Sequence, residues 1–281
     1  MRHSPVTLLS ALLMVSCGSP QDSGSQPPPA AIRAFQAGES GSAAPIKVSS
    51  ALPPMPAEPV PLRYLLGQVD PTKDSGFAAI PKAFSARTDV AYMNAEALEA
   101  YTRMRAAALK DGVTLIIQSP FRSFSDQKGI WNGKWTGATL IDGKTNLRLL
   151  FPDPKARALE ILKYSSMPGT SRHHWGTDVD LNELNNDYFA SGRGKSIHNW
   201  LTAHAGDFGF CQVYSAKDAT RPEGYNEERW HWSYLPVAKR YLAAYPAAVG
   251  YEQLKGFDGW ETARQIGVIE KYVAGINPAC K

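Results

Sequence analysis

No run of apolar residues in this 281-residue chain approaches the ~20 that a bilayer-spanning helix requires, which excludes a polytopic membrane protein. Cysteines number only three, too few for a disulfide scaffold or a four-thiolate zinc site. Any metal must therefore be held by histidine and carboxylate. Neither sign of charge prevails: 30 basic and 26 acidic residues leave a net +4, and no Lys/Arg run concentrates it. That balance argues against nucleic acid as a partner. The remaining composition, 43% hydrophobic and 20% charged, is globular and excludes a fibrous or wholly disordered chain.

Arg2 and His3 precede a short apolar stretch, Val6 to Val15, and then Ser16-Cys17-Gly18. A basic start, an apolar segment of this length and small residues before the cut describe a secretory signal over residues 1–17. Leu13-Met14-Val15-Ser16-Cys17 resembles the lipobox of bacterial lipoproteins, with Met14 in place of the usual Leu. That resemblance implies lipidation at Cys17, a membrane tether and an exported, periplasmic or cell-envelope protein, and Gly18 leaves passage to an outer membrane open. Residues 18–61 are Ser-, Gly-, Pro-, Ala- and Gln-rich, a composition that cannot bury enough apolar surface to fold and reads as a linker. Residues 62–281 then form one domain, since ~220 residues suffice for a single core.

Within that domain, Ala97, Leu98, Tyr101, Met104 and Leu109 recur at helical spacing, predicting a helix from Asn94 to Lys110 that stops at Asp111-Gly112. Val113 to Ile117 reads as a buried strand, and further strands are predicted at Thr177–Leu181 and His231–Tyr234. Helices are expected over Pro154–Tyr164 and Ile197–Phe208. The elements mix without a regular βαβ alternation, so the fold class is α+β with a small sheet flanked by helices.

Three segments carry the chemistry. Ser171-Arg172-His173-His174-Trp175-Gly176-Thr177-Asp178-Val179-Asp180 packs two imidazoles and two carboxylates beside a glycine. Glu228-Arg229-Trp230-His231 sets a carboxylate three residues before a third histidine. Catalytic zinc takes three nitrogen or oxygen ligands and keeps a fourth position for water. His173, Asp180 and His231 are the candidate ligands, and Glu228 is the candidate base. Each piece taken singly is ordinary, because isolated histidines are mostly structural and Asp-rich loops are mostly solvated turns. The third segment, Gln118 to Gln127, follows the first predicted strand. Its Arg122 suits a carboxylate or a developing oxyanion. His174 and Asp178 receive no role, His174 being read as exposed or as a partner of a ligand.

The pattern Ser171, His173, Gly176, Asp180, followed by Glu228 and His231, resembles the zinc D-alanyl-D-alanine carboxypeptidases of the VanY type, wall peptidases that share a metal site with hedgehog domains. Ser119-Pro120-Phe121-Arg122-Ser123 and Gln127 are similar to a further motif of that family, and the likeness spans residues 92 to 235. The resemblance implies a mainly antiparallel sheet and one Zn²⁺ per chain on His173, Asp180 and His231. It also implies Glu228 as general base and Arg122 as oxyanion or substrate contact, with Ser119, Gln127 and Ser171 as further substrate contacts. The implied substrate is the peptidoglycan stem peptide, losing a terminal D-amino acid. An endopeptidase of the same fold and a non-catalytic wall-binding lipoprotein are the alternatives. Arg229 stands where the family has Pro and Ser233 where it has Arg, while Pro120 and Phe121 replace Gly and Tyr. These changes are expected to affect substrate preference and the pocket rim. Trp131 and Trp135 are read as core rather than as groove. Cys211 and Cys280 are a candidate disulfide, two buried thiols being the alternative. A monomer is expected.

Overall fold

The computed structural model describes residues 59–281, so the signal segment, Cys17 and the linker up to residue 58 lie outside the described residues. Among the described residues, six short strands form two antiparallel sheets. β1 (Phe77–Ala79) pairs with β2 (Tyr92–Asn94), and β3 (Ile117–Ser119), β4 (Asp178–Leu181), β5 (Phe210–Gln212) and β6 (His231–Tyr234) form a sheet ordered β3-β4-β6-β5. Eight α-helices of the described residues surround them: α1 (Leu62–Leu65), α2 (Ala95–Lys110), α3 (Phe124–Thr136), α4 (Leu147–Leu150), α5 (Pro154–Ile161), α6 (Gly192–His204), α7 (Leu235–Ala248) and α8 (Thr262–Ile266). Among the described residues no helix is long and apolar enough to cross a membrane.

Local chemistry explains the helix boundaries. The Asn94 side chain accepts from Ala97 N at 3.2 Å and caps α2, whose Ala97, Leu98, Tyr101, Met104 and Ala108 form the buried stripe. Ser123 and Asp126 make a reciprocal capping box on α3. Asp153 caps α5 ahead of Pro154, which sits where a missing N–H costs nothing.

Three boundaries differ from expectation. Residues 113–116 are not strand, and pairing begins only at Ile117, because the strand extends past it to Ser119 opposite Asp180. The helix expected to run to Tyr164 ends at Ile161. α6 starts at Gly192, and residues 205–208 tighten into a 3-10 turn closed by Gly209. Gly194 does not break that helix: its bare Cα lies against the Tyr188 carbonyl, where a Cβ would overlap.

The four-stranded sheet divides two chemistries by its pleat, since alternate residues face opposite sides. Val179, Leu181, Trp232 and Tyr234 enter a core shared with α2 and α6. Asp178 and Asp180 on β4, with His231 and Ser233 on β6, face the other way. There a second core, built from Leu65, Trp131, Ile161, Trp175, Tyr245 and other apolar residues, backs the site. Trp131 is fully buried and its ring lies 6.3 Å from that of Trp135, so the pair packs rather than lining a groove.

Candidate metal centre and active site

The register of β4 on β6 sets Asp180 opposite His231 and Asp178 opposite Ser233. Cross-strand partners stand close enough to touch, so both carboxylates meet polar groups of the neighbouring strand. A 3-10 turn over Arg172–Trp175 precedes β4 and presents His173 to the same place. Gly176 makes this entry possible: its φ of 69° is left-handed, and a Cβ there would stand 2.6 Å from Phe77 Cε1 and 2.8 Å from Asn94 N.

One ligand atom each from His173, Asp180 and His231 lies within 4.8 Å of the others, and all three residues are buried. The histidine tautomers follow from their outer partners. His173 Nδ1 is 2.9 Å from the Pro120 carbonyl, which can only accept, so Nδ1 carries the proton and Nε2 offers its lone pair. His231 Nε2 lies 2.9 Å from Asp178 Oδ2, turning Nδ1 inward, 3.0 Å from Asp180 Oδ1. His173 Nε2 and Asp180 Oδ1 are buried and make no hydrogen bond. Such orphans are costly unless something satisfies them. Two imidazole nitrogens and a carboxylate converging with unused lone pairs fit a zinc-type divalent cation.

The electrostatics agree with that fit. Burial lowers the pKa of His173, and Arg122 adds to the effect. Burial also opposes a charge on His231, yet the adjacent Asp178 and Asp180 carboxylates push its pKa up to about 9, so these carboxylates favour a cation between them. Asp180 is held well below the usual carboxylate range despite its burial, through His173 and His231.

Glu228 reaches the centre because the chain turns. His231 N donates to the Glu228 carbonyl at 3.2 Å, and Glu228 Oε2 comes within 3.4 Å of His231 Nδ1. Burial pushes the Glu228 carboxyl up to about 7, with His231 pulling against it. Arg122 Nη2 stands 3.4 Å from Asp180 Oδ2, while Nη1 donates to Gln127 Oε1 at 2.9 Å and Nε has no partner.

These groups open on one cleft of about 730 Å³, and Ser119, Arg122, Ser171 and Glu228 contribute to its wall. Ser171 Oγ is buried and unpaired. Gln127, expected to contact substrate, is fully buried instead. Its amide spends its oxygen on Arg122 and its nitrogen on the Ser166 carbonyl at 2.8 Å, so it holds the guanidinium in place and does not line the cleft. Pro120 and Phe121 are not on the rim either. Phe121 packs edge-on against Phe77 at 4.8 Å, and the Pro120 carbonyl orients His173.

Three residues passed over in the sequence matter here. His174 is fully buried, not exposed. Its Nδ1 donates to the Arg122 carbonyl at 2.7 Å and its Nε2 accepts from Gly169 N at 3.0 Å, tying the loop after β3 to the histidine turn. Asp178 gathers Arg172 Nε at 2.9 Å, Ser233 Oγ at 2.6 Å and Thr177 Oγ1 at 2.8 Å while holding His231. Arg172 is 2% exposed and its guanidinium stacks 4.4 Å from the Trp175 ring. Ser233 is thus joined through Asp178 to the candidate ligand His231, a contact that the sequence reading did not expect. The signal was present: residues two apart on a strand share a face, so Asp178 sides with Asp180 and Ser233 with His231.

The stretch that carries this site is also the stretch that resembles known proteins. The profile of the VanY family, described as D-alanyl-D-alanine carboxypeptidase, matches residues 90–237. A D-alanyl-D-alanine carboxypeptidase of Enterococcus faecalis is 31% identical over 131 residues, 47% of this chain and 44% of that protein, so the chain spans less than half of that relative's length. Among solved structures, the LD-carboxypeptidase LdcB aligns at 23% identity and a TM-score of 0.45, over 71% of this chain and 81% of its own. The vancomycin resistance D,D-pentapeptidase VanY, solved with Zn(II), aligns at 25% identity and a TM-score of 0.41, over 59% and 88%. Because the family profile covers more than half of the chain and includes all three ligand positions and Glu228, the chain belongs to the VanY family of D-alanyl-D-alanine carboxypeptidases.

Proposed function

We propose that the chain is a zinc-dependent carboxypeptidase that removes a terminal D-amino acid, D-alanine, from peptidoglycan stem peptides. The observation that carries this reading is the pair of orphaned ligand atoms, His173 Nε2 and Asp180 Oδ1, beside His231 and within reach of the Glu228 carboxyl. Zn²⁺ held by His173, Asp180 and His231 would supply Lewis acidity toward a carbonyl oxygen and make a bound water easier to deprotonate. Glu228 takes the proton of the attacking water and passes it to the leaving amine. Arg122, with its free Nε–H, faces the oxygen that gains charge, and Gln127 fixes its fork. Ser119 and Ser171 offer hydroxyls to the peptide along the cleft. The proposed setting is the cell envelope, with the chain tethered through Cys17 and acting as a monomer, because the substrate class is insoluble and lies outside the cytoplasm.

The test is mass spectrometry of purified muropeptides incubated with the protein. Loss of one terminal alanine per stem, together with about one zinc per chain, is the expected result. Opening of cross-links without that loss makes the protein an endopeptidase. Unchanged muropeptides with a zinc-loaded chain overturn the enzymatic reading.

A further inference from the structure

Five cationic side chains other than histidine line the cleft, and four are neutralised by a carboxylate. Arg87 pairs with Asp89 at 2.6 Å, Lys163 with Glu160 at 2.6 Å, Arg172 with Asp178 at 2.9 Å and Arg122 with Asp180 at 3.4 Å. Lys134 is the exception: among the described residues no carboxylate comes within 4.0 Å of its ammonium. Asp142, an exposed carboxylate on the same cleft, is also beyond that distance. The one partner of Lys134 Nζ is Ser165 Oγ, whose own proton goes to the Tyr164 carbonyl at 2.8 Å. An ammonium carries three donors, so two stay free for whatever enters the cleft.

Position reinforces the point. Lys134 is seven residues beyond Gln127 on α3, two helical turns along one face. The helix that holds the Arg122 guanidinium through Gln127 therefore also carries Lys134. Burial, with the nearby Arg122 charge adding to it, lowers the Lys134 pKa to about 8. A half-buried cation in that state is poorly served by the protein alone, and an anion restores its charge.

We propose that Lys134, with Ser165, forms a carboxylate-binding corner of the cleft that holds a carboxylate of the bound stem peptide. This rests on the peptidase reading and adds a specificity element to it. The carboxylate has two sources in such a peptide, the C-terminal one or an internal one, and both would meet the ammonium by the same charge-assisted hydrogen bonds.

Calorimetric binding separates these sources. The zinc-loaded Glu228→Gln protein is titrated with a stem pentapeptide in three forms: unmodified, amidated at its C-terminus, and amidated at its internal carboxylates. Adding Lys134→Met is expected to weaken binding of the unmodified peptide by about tenfold or more, and Lys134→Arg to keep most of it. The penalty should vanish for whichever amidated form lacks the recognised carboxylate, which names the source. A penalty that persists in both amidated forms, or no penalty at all, overturns the Lys134 corner while leaving the peptidase reading intact. Failure of the unmodified peptide to bind the Glu228→Gln protein overturns the peptidase reading, and the corner with it.

Discussion

At position 228 a carboxyl is enclosed beside a histidine ligand, and its proton affinity is the quantity that catalysis would exploit. Replacing Glu228 with Gln keeps the shape and removes the base, so kcat should fall by about 10²–10⁴-fold with zinc content unchanged, as read by steady-state kinetics and metal analysis. In the metal-free chain burial places this group at about 7. A bound dication nearby favours the ionised form, so the acid limb of kcat/KM in the zinc enzyme should lie below pH 7. An acid limb above 7 would contradict that assignment.

His174 yields a prediction of the opposite kind, about stability. Burial holds its folded pKa down to about 3, against the ordinary 6.5, although its hydrogen bond to the Arg122 carbonyl pulls the other way. Below pH 6.5 the unfolded chain takes up a proton that the folded chain refuses, so the unfolded state binds more protons and stability falls with falling pH. Between pH 6.5 and 3 the loss should approach ~1.4 kcal/mol per pH unit from this residue. Thermal melts across that window, compared with His174→Gln, measure it, and the variant should show the shallower slope.

Among the secondary elements, the pairing of β4 with β6 is what turns four polar residues into a centre. Asp178 holds His231 from behind and is itself held by Arg172 and Ser233. Groups that orient a metal ligand typically govern affinity by 10–100-fold. Asp178→Asn should therefore weaken zinc binding by about that factor in a chelator competition, while Glu228→Gln should not. Arg172→Met removes one partner of a fully buried ion pair, a change that costs about 3–5 kcal/mol of stability, and it should lower the melting temperature even without metal. Equal zinc affinity in Asp178→Asn and the parent would show that His231 is positioned by β6 alone.

Much of this was legible as pattern. The candidate ligand set that clusters in the fold, α2 with its Asn94 cap and the strand His231–Tyr234 follow from residue type and period, which are local properties. The strand expected at 113–117 was displaced because hydrophobic content marks burial, while pairing is decided by the partner strand. Gln127 was expected to contact substrate because the family resemblance implied it. Only the packing of α3 on Ser166 and Arg122 uses up both ends of its amide.

Across the whole molecule, a long closure joins the C-terminus to the sheet. Cys211 on β5 and Cys280 are bonded, with Cα atoms 5.8 Å apart and a sequence separation of 69. The Asn277 side chain adds a bond to the Gln212 carbonyl at 3.1 Å, so the terminal segment is fixed against the sheet edge. A loop of that length stabilises the fold by about 4 kcal/mol through the entropy it removes from the unfolded chain. Cys211→Ser with Cys280→Ser, or reduction, should lower the melting temperature by roughly 10 °C, read by calorimetry. No change would mean that the terminal segment is held by its packing alone.

Ligand chemistry is a matter of composition and motif. With three cysteines in all, and with histidines and carboxylates set at short intervals, a candidate metal site of nitrogen and oxygen ligands is readable from the chain as written. Local propensity likewise accounts for α2 with its Asn94 cap and for the α+β class. The roles of His174, Asp178, Arg172, Gln127 and Lys134 depend instead on partners as far as 61 positions away, as in the bond from Arg172 to Ser233. Which polar group is spent inside the fold and which is left facing the cleft is decided by strand register and helix packing, and these exist only once the chain has closed on itself.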